Sequence, residues 1–266
     1  MSRTFLATLH YDGTAFVGWQ RQPTGRSVQL EFEKVLERLF GLHTLAHAAG
    51  RTDAGVHATG QGVSFNAPDN WTAPALHRSL NALLPADCWA KRMQPVQAGF
   101  HARKSALTRR YRYDVGVDDE SASPFRRPFE WALGKPLDLE LLRSAADTIR
   151  GEHDFQAFAA KGDKLHHRCR LIRADWEARS SGRGVSFHVE ADRFLHHMVR
   201  MLVGTMVDIG LERRPLKDMV TLLNRRDNQE TSPPAPPQGL YFVAATYPSE
   251  LFTEAGEMRR EAVHLA

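Results

Sequence analysis

The stretch Gly50-Arg51-Thr52-Asp53-Ala54-Gly55-Val56-His57-Ala58 places one carboxylate between two glycines and an arginine two residues before it. Glycine adopts backbone conformations that other residues avoid, so Gly50 and Gly55 predict a sharp turn that a ligand can approach closely. The small side chain of Ala54 leaves Asp53 accessible. An aspartate in such a turn more often bonds only its own backbone, so a reactive role for Asp53 depends on the rest of the chain.

The segments around this loop predict alternating strands and helices. Apolar residues recur with period two over residues 5–11, which predicts a strand. Ser27 is a good N-cap for a helix that ends at Gly41, a residue type typical of the position after a helix. The same patterns predict a strand over 60–66, a helix closed by Pro85 and a strand over 89–96.

The second half of the chain repeats this pattern. Apolar residues from Tyr111 to Val117 alternate with charged residues, which predicts a strand with one apolar and one charged face. A long apolar helix is expected from Phe194 to Ile209, and Arg200 inside it needs an explanation. We further expect a helix from about Asp138 to Gly151, strands over 171–178, 185–191 and 241–247, a short helix over 216–223, and loops over 121–128 and 229–238.

Because strands and helices alternate but hairpin-like strand pairs also occur, the pattern predicts an α+β fold with a mostly antiparallel or mixed sheet. The expected boundary between two halves lies at 105–108. We therefore assign residues 1–106 to an N-terminal half that carries the Asp53 loop, 107–248 to a C-terminal half and 249–266 to a tail.

Composition narrows the class of protein. A chain of 266 residues with 42% hydrophobic residues can fill a sizeable core, and its net charge of +4 favours an anionic partner. Arginines alternate with Tyr111 and Tyr113, and a second basic cluster comprises Lys161, Lys164, His166, His167, Arg168 and Arg170. Several basic clusters around aromatic residues favour nucleic acid as that partner.

The histidines and cysteines do not predict a metal or a disulfide. Cys88 and Cys169 are far apart and lack a Cys-x-x-Cys partner. The adjacent pairs His166-His167 and His196-His197 do not put two ligands on one helical face. No apolar signal core or membrane-length apolar stretch is found, so we expect a cytoplasmic protein without metal or cofactor.

Further motifs follow one order along roughly residues 3 to 248. They are Tyr11-Asp12-Gly13, Phe16-Val17-Gly18-Trp19-Gln20-Arg21-Gln22, Ser27-Val28-Gln29, Gln61, Asn81-Ala82-Leu83-Leu84-Pro85, Phe100-His101-Ala102-Arg103, Arg109-Arg110-Tyr111-Arg112-Tyr113, Gly151-Glu152-His153-Asp154-Phe155, Phe194-Leu195-His196-His197-Met198-Val199-Arg200 and Gly239-Leu240-Tyr241-Phe242. With the Asp53 loop, this ordered set resembles the TruA-type tRNA pseudouridine synthases. Phe242 stands where a Leu is expected, and the tail from Leu251 resembles nothing known to us.

The resemblance implies a pseudouridine synthase fold, with two similar halves sharing an extended sheet around a central cleft. It implies conversion of uridine to pseudouridine at positions 38, 39 and 40 of the tRNA anticodon stem-loop, by a homodimer whose C-terminal halves form the interface. Asp53 is the implied catalytic residue, and Arg200 its guanidinium partner. Tyr111 would stack on the uracil, Arg51 would fill the vacated space or hold a phosphate, and Leu240 would support the site.

The chemistry does not decide which atom of the substrate Asp53 would attack. An ionised aspartate can add to the uracil ring, capture the sugar carbon or assist removal of a sugar proton, and sequence does not separate these routes. His57 is a candidate brace for the loop.

Three other classes of protein are weaker interpretations. A non-catalytic RNA-binding protein would explain the basic and aromatic residues but not Asp53 together with Arg200. A metal-dependent nuclease needs clustered carboxylates, and Asp53 has no downstream acidic neighbour nearer than Asp69. Asp12-Gly13-Thr14 matches half of a phosphatase motif, but His10 occupies the place of its nucleophilic aspartate.

Overall fold

The computed structural model describes residues 2–160 and 166–253, and its strands and helices confirm the α+β class. The described residues fall into two units, 2–107 with 242–253 and 108–241. Residues 242–248, which the sequence analysis assigned to the second half, therefore cluster with the first unit. Lys161, Lys164 and the tail from 254 onward lie outside the described residues.

The first unit is an antiparallel sheet with two helices. Its elements are β1 (Ser2–Tyr11), α1 (Val28–Phe40), β2 (His47–Ala48), β3 (His57–Pro68), α2 (Ala73–Leu83) and β4 (Cys88–Val96). Strand β1 pairs with both β3 and β4, and β2 pairs with β3. Strand β3 begins at His57, three residues before the predicted start, so the Asp53 loop runs directly into it.

Helix α1 confirms the predicted caps. The Ser27 side chain accepts a hydrogen bond from the Leu30 N–H, and Gly41 ends the helix with a left-handed φ of 71°. The helix buries Phe32 against Phe65 of β3, with ring centroids 5.6 Å apart. Local capping and an apolar stripe therefore determine where α1 begins, ends and packs.

The second unit is a mixed sheet with helices packed against it. Its elements are β5 (Thr108–Gly116), β6 (Trp131–Ala132), α3 (Leu139–Asp147), β7 (Gly151–Asp154), β8 (Arg168–Ala178), β9 (Gly184–Ala191), α4 (Met198–Gly210), α5 (Asp218–Leu223) and the start of β10 (Leu240–Thr246). Strands β5, β9, β8 and β7 pair antiparallel in that order, and β6 joins β5 in parallel. Tyr113, Phe187 and Trp176 lie side by side across this sheet and are buried, and the indole of Trp176 contacts Met206 of α4.

Two helix boundaries differ from the prediction by more than two residues. Helix α4 begins at Met198 instead of Phe194, because His197 has a left-handed φ of 63° that a continuous helix excludes. Helix α3 ends at Asp147, and the predicted end at Gly151 is the first residue of β7, a strand that the sequence analysis missed. Strand β7 has only four residues and no apolar alternation to mark it.

The charged face predicted for β5 is only partly correct. Arg110 is exposed, but Asp114 is buried. Its carboxylate accepts hydrogen bonds from Ser186 Oγ at 2.7 Å and from Arg112 Nε at 3.0 Å. A buried carboxylate with these partners is compatible with the interior of the sheet. Across residues 2–160 and 166–253, every helix is too short or too polar to span a membrane.

Candidate active site

The Asp53 loop is a tight turn with an accessible acid. The Asp53 carbonyl accepts a hydrogen bond from the Val56 N–H at 3.2 Å, and Gly55 has the expected positive φ, 76°. Thr52 is buried, Asp53 is half-buried and Ala54 is exposed. Thr52 is thus enclosed by protein, whereas Ala54 on the other side of Asp53 faces solvent.

The segment from Phe16 to Trp19 is hydrogen-bonded to this loop. The Trp19 N–H donates to the Thr52 carbonyl at 3.0 Å, and the Gly55 N–H donates to the Phe16 carbonyl at 3.3 Å. Gly18 has a φ of 105°, and a Cβ placed on it would lie 2.6 Å from the Thr52 oxygen. Nothing in the sequence of this segment, apart from the family resemblance, indicated that it contacts the Asp53 loop.

A partly exposed ion pair holds that segment in place. The Arg26 guanidinium donates to both Asp87 carboxylate oxygens, at 2.5 and 2.9 Å, and this pairing raises the pKa of Arg26. Two backbone hydrogen bonds act at the same two residues. The Val17 N–H donates to the Arg26 carbonyl at 2.9 Å, and the Asp12 N–H donates to the Asp87 carbonyl at 3.0 Å. Arg26 also stacks over the Phe16 ring at 4.3 Å. Bidentate geometry is the stronger form of this ion pair.

Buried polar side chains bind the residues just before Asp53. The Gln61 amide donates from Nε2 to the Gly50 carbonyl at 2.7 Å and accepts from the Gly50 N–H at 3.3 Å. Gln61 Nε2 also lies 3.4 Å from the Tyr11 hydroxyl, which bonds Thr52 Oγ1 at 2.8 Å. Burial raises the pKa of Tyr11 well above its usual value, so the phenol is neutral.

His57 braces the loop as a neutral ring. It is buried, and its Nδ1 accepts a hydrogen bond from the Gly13 N–H at 3.0 Å. The same nitrogen lies 3.2 Å from Asp12 Oδ1, the geometry of an ion pair. Because a nitrogen that accepts the Gly13 proton carries none of its own, we assign Asp12 as a close neighbour of His57 and not as its ion-pair partner.

Tyr111 lies on β5 and is packed tightly. It pairs with Val189 of β9, and its ring meets Phe194 edge-on, with centroids 4.9 Å apart and planes at 83°. Only 9% of Tyr111 is exposed. The ring is therefore held in one orientation by its neighbours.

Arg200 is anchored by the proline-rich segment. Its Nε donates to the Ala235 carbonyl at 2.7 Å, and the Ala235 N–H donates back to the Arg200 carbonyl at 2.9 Å. A Cβ on Gly204, one turn later in α4, would lie 2.2 Å from the Pro233 oxygen, so this segment packs directly on the helix. The proline-rich composition of residues 229–238 predicted a loop but not this contact with α4.

The predicted site residues are distributed over the two units. Asp53 and the exposed Arg51 belong to the first unit, and Tyr111, Arg200 and Leu240 belong to the second. Leu240 is 5% exposed and begins β10. The preceding Gly239 packs against Tyr113, since an added Cβ would lie 2.6 Å from that ring.

The chain matches known proteins over most of its length. Residues 145–248 match a family model described as tRNA pseudouridine synthase. A tRNA pseudouridine synthase A from Myxococcus xanthus is 42% identical over 240 residues, which cover 90% of each chain. Relatives of the same name from Geobacter sp. (strain M21) and Dictyoglomus thermophilum are 38% and 39% identical, covering 92% and 90% of this chain and 99% and 97% of theirs. Similarity of this extent, which includes the hydrogen-bonded loop around Asp53, shows that the chain belongs to the tRNA pseudouridine synthase A family.

Proposed function

We propose that this protein isomerises uridine to pseudouridine in tRNA, at positions 38, 39 and 40 of the anticodon stem-loop. The observation that carries the proposal is Asp53 itself, a half-buried carboxylate on a loop whose backbone is hydrogen-bonded on both sides. Enzymes gain rate by holding the reacting group in one geometry, and this loop provides such a geometry. The names of the relatives support tRNA as the substrate.

The reaction breaks the N1–C1′ bond, rotates the detached uracil and forms the C5–C1′ bond. The C5 proton is then lost and N1 gains a proton, so the product is an isomer of the substrate and no group is added. Asp53 acts in its ionised form, either on the base or on the sugar. Arg200 is proposed to keep that carboxylate charged, since a nearby guanidinium lowers a carboxyl pKa.

The anchoring of Arg200 restricts how it would hold Asp53. Because its Nε donates to the Ala235 carbonyl, an aspartate would be held end-on through the two Nη groups. Tyr111 would stack on the uracil, because a π face holds a detached base in plane. Its hydroxyl is also the proposed carrier of the proton that leaves C5. Leu240 would support the site.

The substrate base must leave its stack before reaction, which costs a few kcal/mol. Arg51, exposed two residues before Asp53, is proposed to fill the vacated space or to hold a phosphate. By resemblance to the family, we propose a homodimer with one tRNA reaching across both subunits, in the cytoplasm where tRNA is used. Light scattering of the protein with and without tRNA tests the subunit number.

The test of the function is Asp53→Asn, which keeps the shape of the side chain and removes its nucleophilic oxygen. With an unmodified tRNA transcript and no added metal, we expect wild type to form pseudouridine and the variant to form none. The Kd of the variant for tRNA should stay within about threefold of the wild-type value, and its dependence on salt should be nearly unchanged. Phosphate contacts from Lys and Arg dominate affinity, and the substitution removes none of them. Transcripts carrying a single uridine at position 38, 39 or 40 test the sites.

Asp138→Asn is the matched control. Asp138 caps α3 by accepting from the Glu140 and Leu141 N–H groups, and an asparagine caps equally well. This variant removes the same charge elsewhere and should retain wild-type conversion. Conversion by Asp53→Asn would remove Asp53 from the mechanism, and a wild type that binds tRNA without converting it would favour a non-catalytic RNA-binding protein.

A further inference from the structure

A buried chain of hydrogen bonds ends on the two residues that flank Arg51. Gln61 is fully buried on β3 and bonds both backbone groups of Gly50. Tyr11, buried on β1, bonds the Thr52 hydroxyl at 2.8 Å. We propose that Gln61 and Tyr11 are positioning residues, which hold the Asp53 loop in its reactive geometry without touching the substrate. This inference rests on the proposed function.

The donors and acceptors of the chain specify one arrangement. Only one orientation of the Gln61 amide satisfies Gly50, with Nε2 facing the carbonyl and Oε1 facing the N–H. The second Nε2 proton then points to the Tyr11 oxygen at 3.4 Å. Tyr11 is therefore an acceptor from Gln61 and uses its own proton to donate to Thr52 Oγ1. A chain with one orientation fixes the groups at its end more firmly than single bonds do.

The location of these bonds separates positioning from ordinary core packing. Each bond terminates on the backbone or side chain of residues 50–52, immediately before Asp53, and Thr52 is further held through its carbonyl by Trp19. Arg51, between the two anchored residues, is exposed. Since a displacement of about 1 Å at a reacting group can cost 10²-fold in rate, the loop requires such anchors for chemistry more than for folding.

Tyr11→Phe tests the chain of hydrogen bonds by removing only the hydroxyl group of Tyr11. The phenyl ring retains its contacts with Phe16 and Trp19, whose ring centroids lie 6.3 and 6.5 Å away. We expect the single-turnover rate of pseudouridine formation at saturating enzyme to fall about tenfold, and the tRNA Kd to change less than twofold. If this variant does not fold, Thr52→Val removes the same bond from the loop side and carries the same expectation.

Ser64→Ala is the control for stability. Ser64 lies on β3 three residues after Gln61, is equally buried and accepts a hydrogen bond from the Ala102 N–H at 2.9 Å, away from the loop. It should lower Tm to a similar extent as Tyr11→Phe and leave the rate unchanged. The double variant of Tyr11→Phe and Thr52→Val should be no slower than the slower single variant, because both remove one bond.

The pH dependence of the rate of a Gln61→Glu variant provides a second test. A protonated glutamic acid can donate to the Gly50 carbonyl and accept from the Gly50 N–H, whereas the carboxylate cannot donate. Burial raises a carboxyl pKa, so the acid form gains population as pH falls toward 6. We expect the rate relative to wild type to rise from pH 8 to pH 6, a trend that a purely structural defect would not produce.

The outcomes separate this inference from the function. An inactive wild type refutes the proposed function itself. An active wild type with Tyr11→Phe as fast as Ser64→Ala refutes the positioning role. So does a loss in tRNA affinity that matches the loss in rate, an additive double variant, or a Gln61→Glu deficit that is independent of pH.

Discussion

Gly18→Ala should show how strongly activity depends on the support beneath the Asp53 loop. Two separate costs act at this position. The φ of 105° lies in a region that alanine rarely adopts, and the added Cβ would lie 2.6 Å from the Thr52 carbonyl oxygen. Backbone strain of this kind costs about 1–3 kcal/mol, and relief of the overlap must displace the peptide that precedes Asp53.

Gly41→Ala separates the two costs. Gly41 also has a positive φ, 71°, but an added Cβ would meet nothing within 4 Å. We expect Gly41→Ala to lose about 1 kcal/mol of unfolding free energy, or about 2–4 °C in Tm for a domain of 150–250 residues, with an unchanged rate. Gly18→Ala should lose about 2–4 kcal/mol, and its rate should fall by at least about tenfold.

The assay combines thermal unfolding with single-turnover conversion of a tRNA transcript, both measured well below the Tm of the weaker variant. The ratio of rates between the two variants isolates the close approach of Gly18 to Thr52. A Gly18→Ala enzyme that reacts as fast as Gly41→Ala would refute the conclusion that the segment from Phe16 to Trp19 positions the loop.

Substitutions at three further positions test individual side chains. Arg200→Lys should lose most activity at unchanged tRNA Kd, because an ammonium cannot form a two-pronged clasp on Asp53; near-normal rates would mean that another residue is the partner. Tyr111→Phe should keep tRNA affinity and lose rate if its hydroxyl carries the C5 proton, so unchanged turnover would reduce it to a platform. His57→Asn should retain a higher Tm and rate than His57→Ala, because only asparagine offers an acceptor to the Gly13 N–H; equal loss in both would contradict the bracing role.

Much of the fold follows from short-range patterns in the sequence. The bounds of α1 were predictable because Ser27 caps the first turn and Gly41 supplies the left-handed end, both within a few residues of the helix. The accessible turn at Asp53 followed from Gly55. The ordered motifs predicted the family, which the similarity to known synthases confirmed.

One helix boundary and one burial were not predictable from the apolar pattern. An apolar stripe alone places Phe194 in helix α4, but the left-handed φ of His197 moves the start of the helix to Met198. Asp114 alternates with apolar residues as a surface charge would, yet Ser186, seventy-two positions away, satisfies its carboxylate inside the sheet.

The sequence by itself determined the α+β class, the first helix, the turn that carries Asp53 and the family. Only the tertiary structure decided what holds that carboxylate and its proposed partner in place. Gly18 contacts Thr52, and Ala235 anchors Arg200, across thirty-four and thirty-five positions of chain. Local propensity acts over a turn or a strand, whereas these contacts form only when separate elements pack and each buried polar group finds a partner.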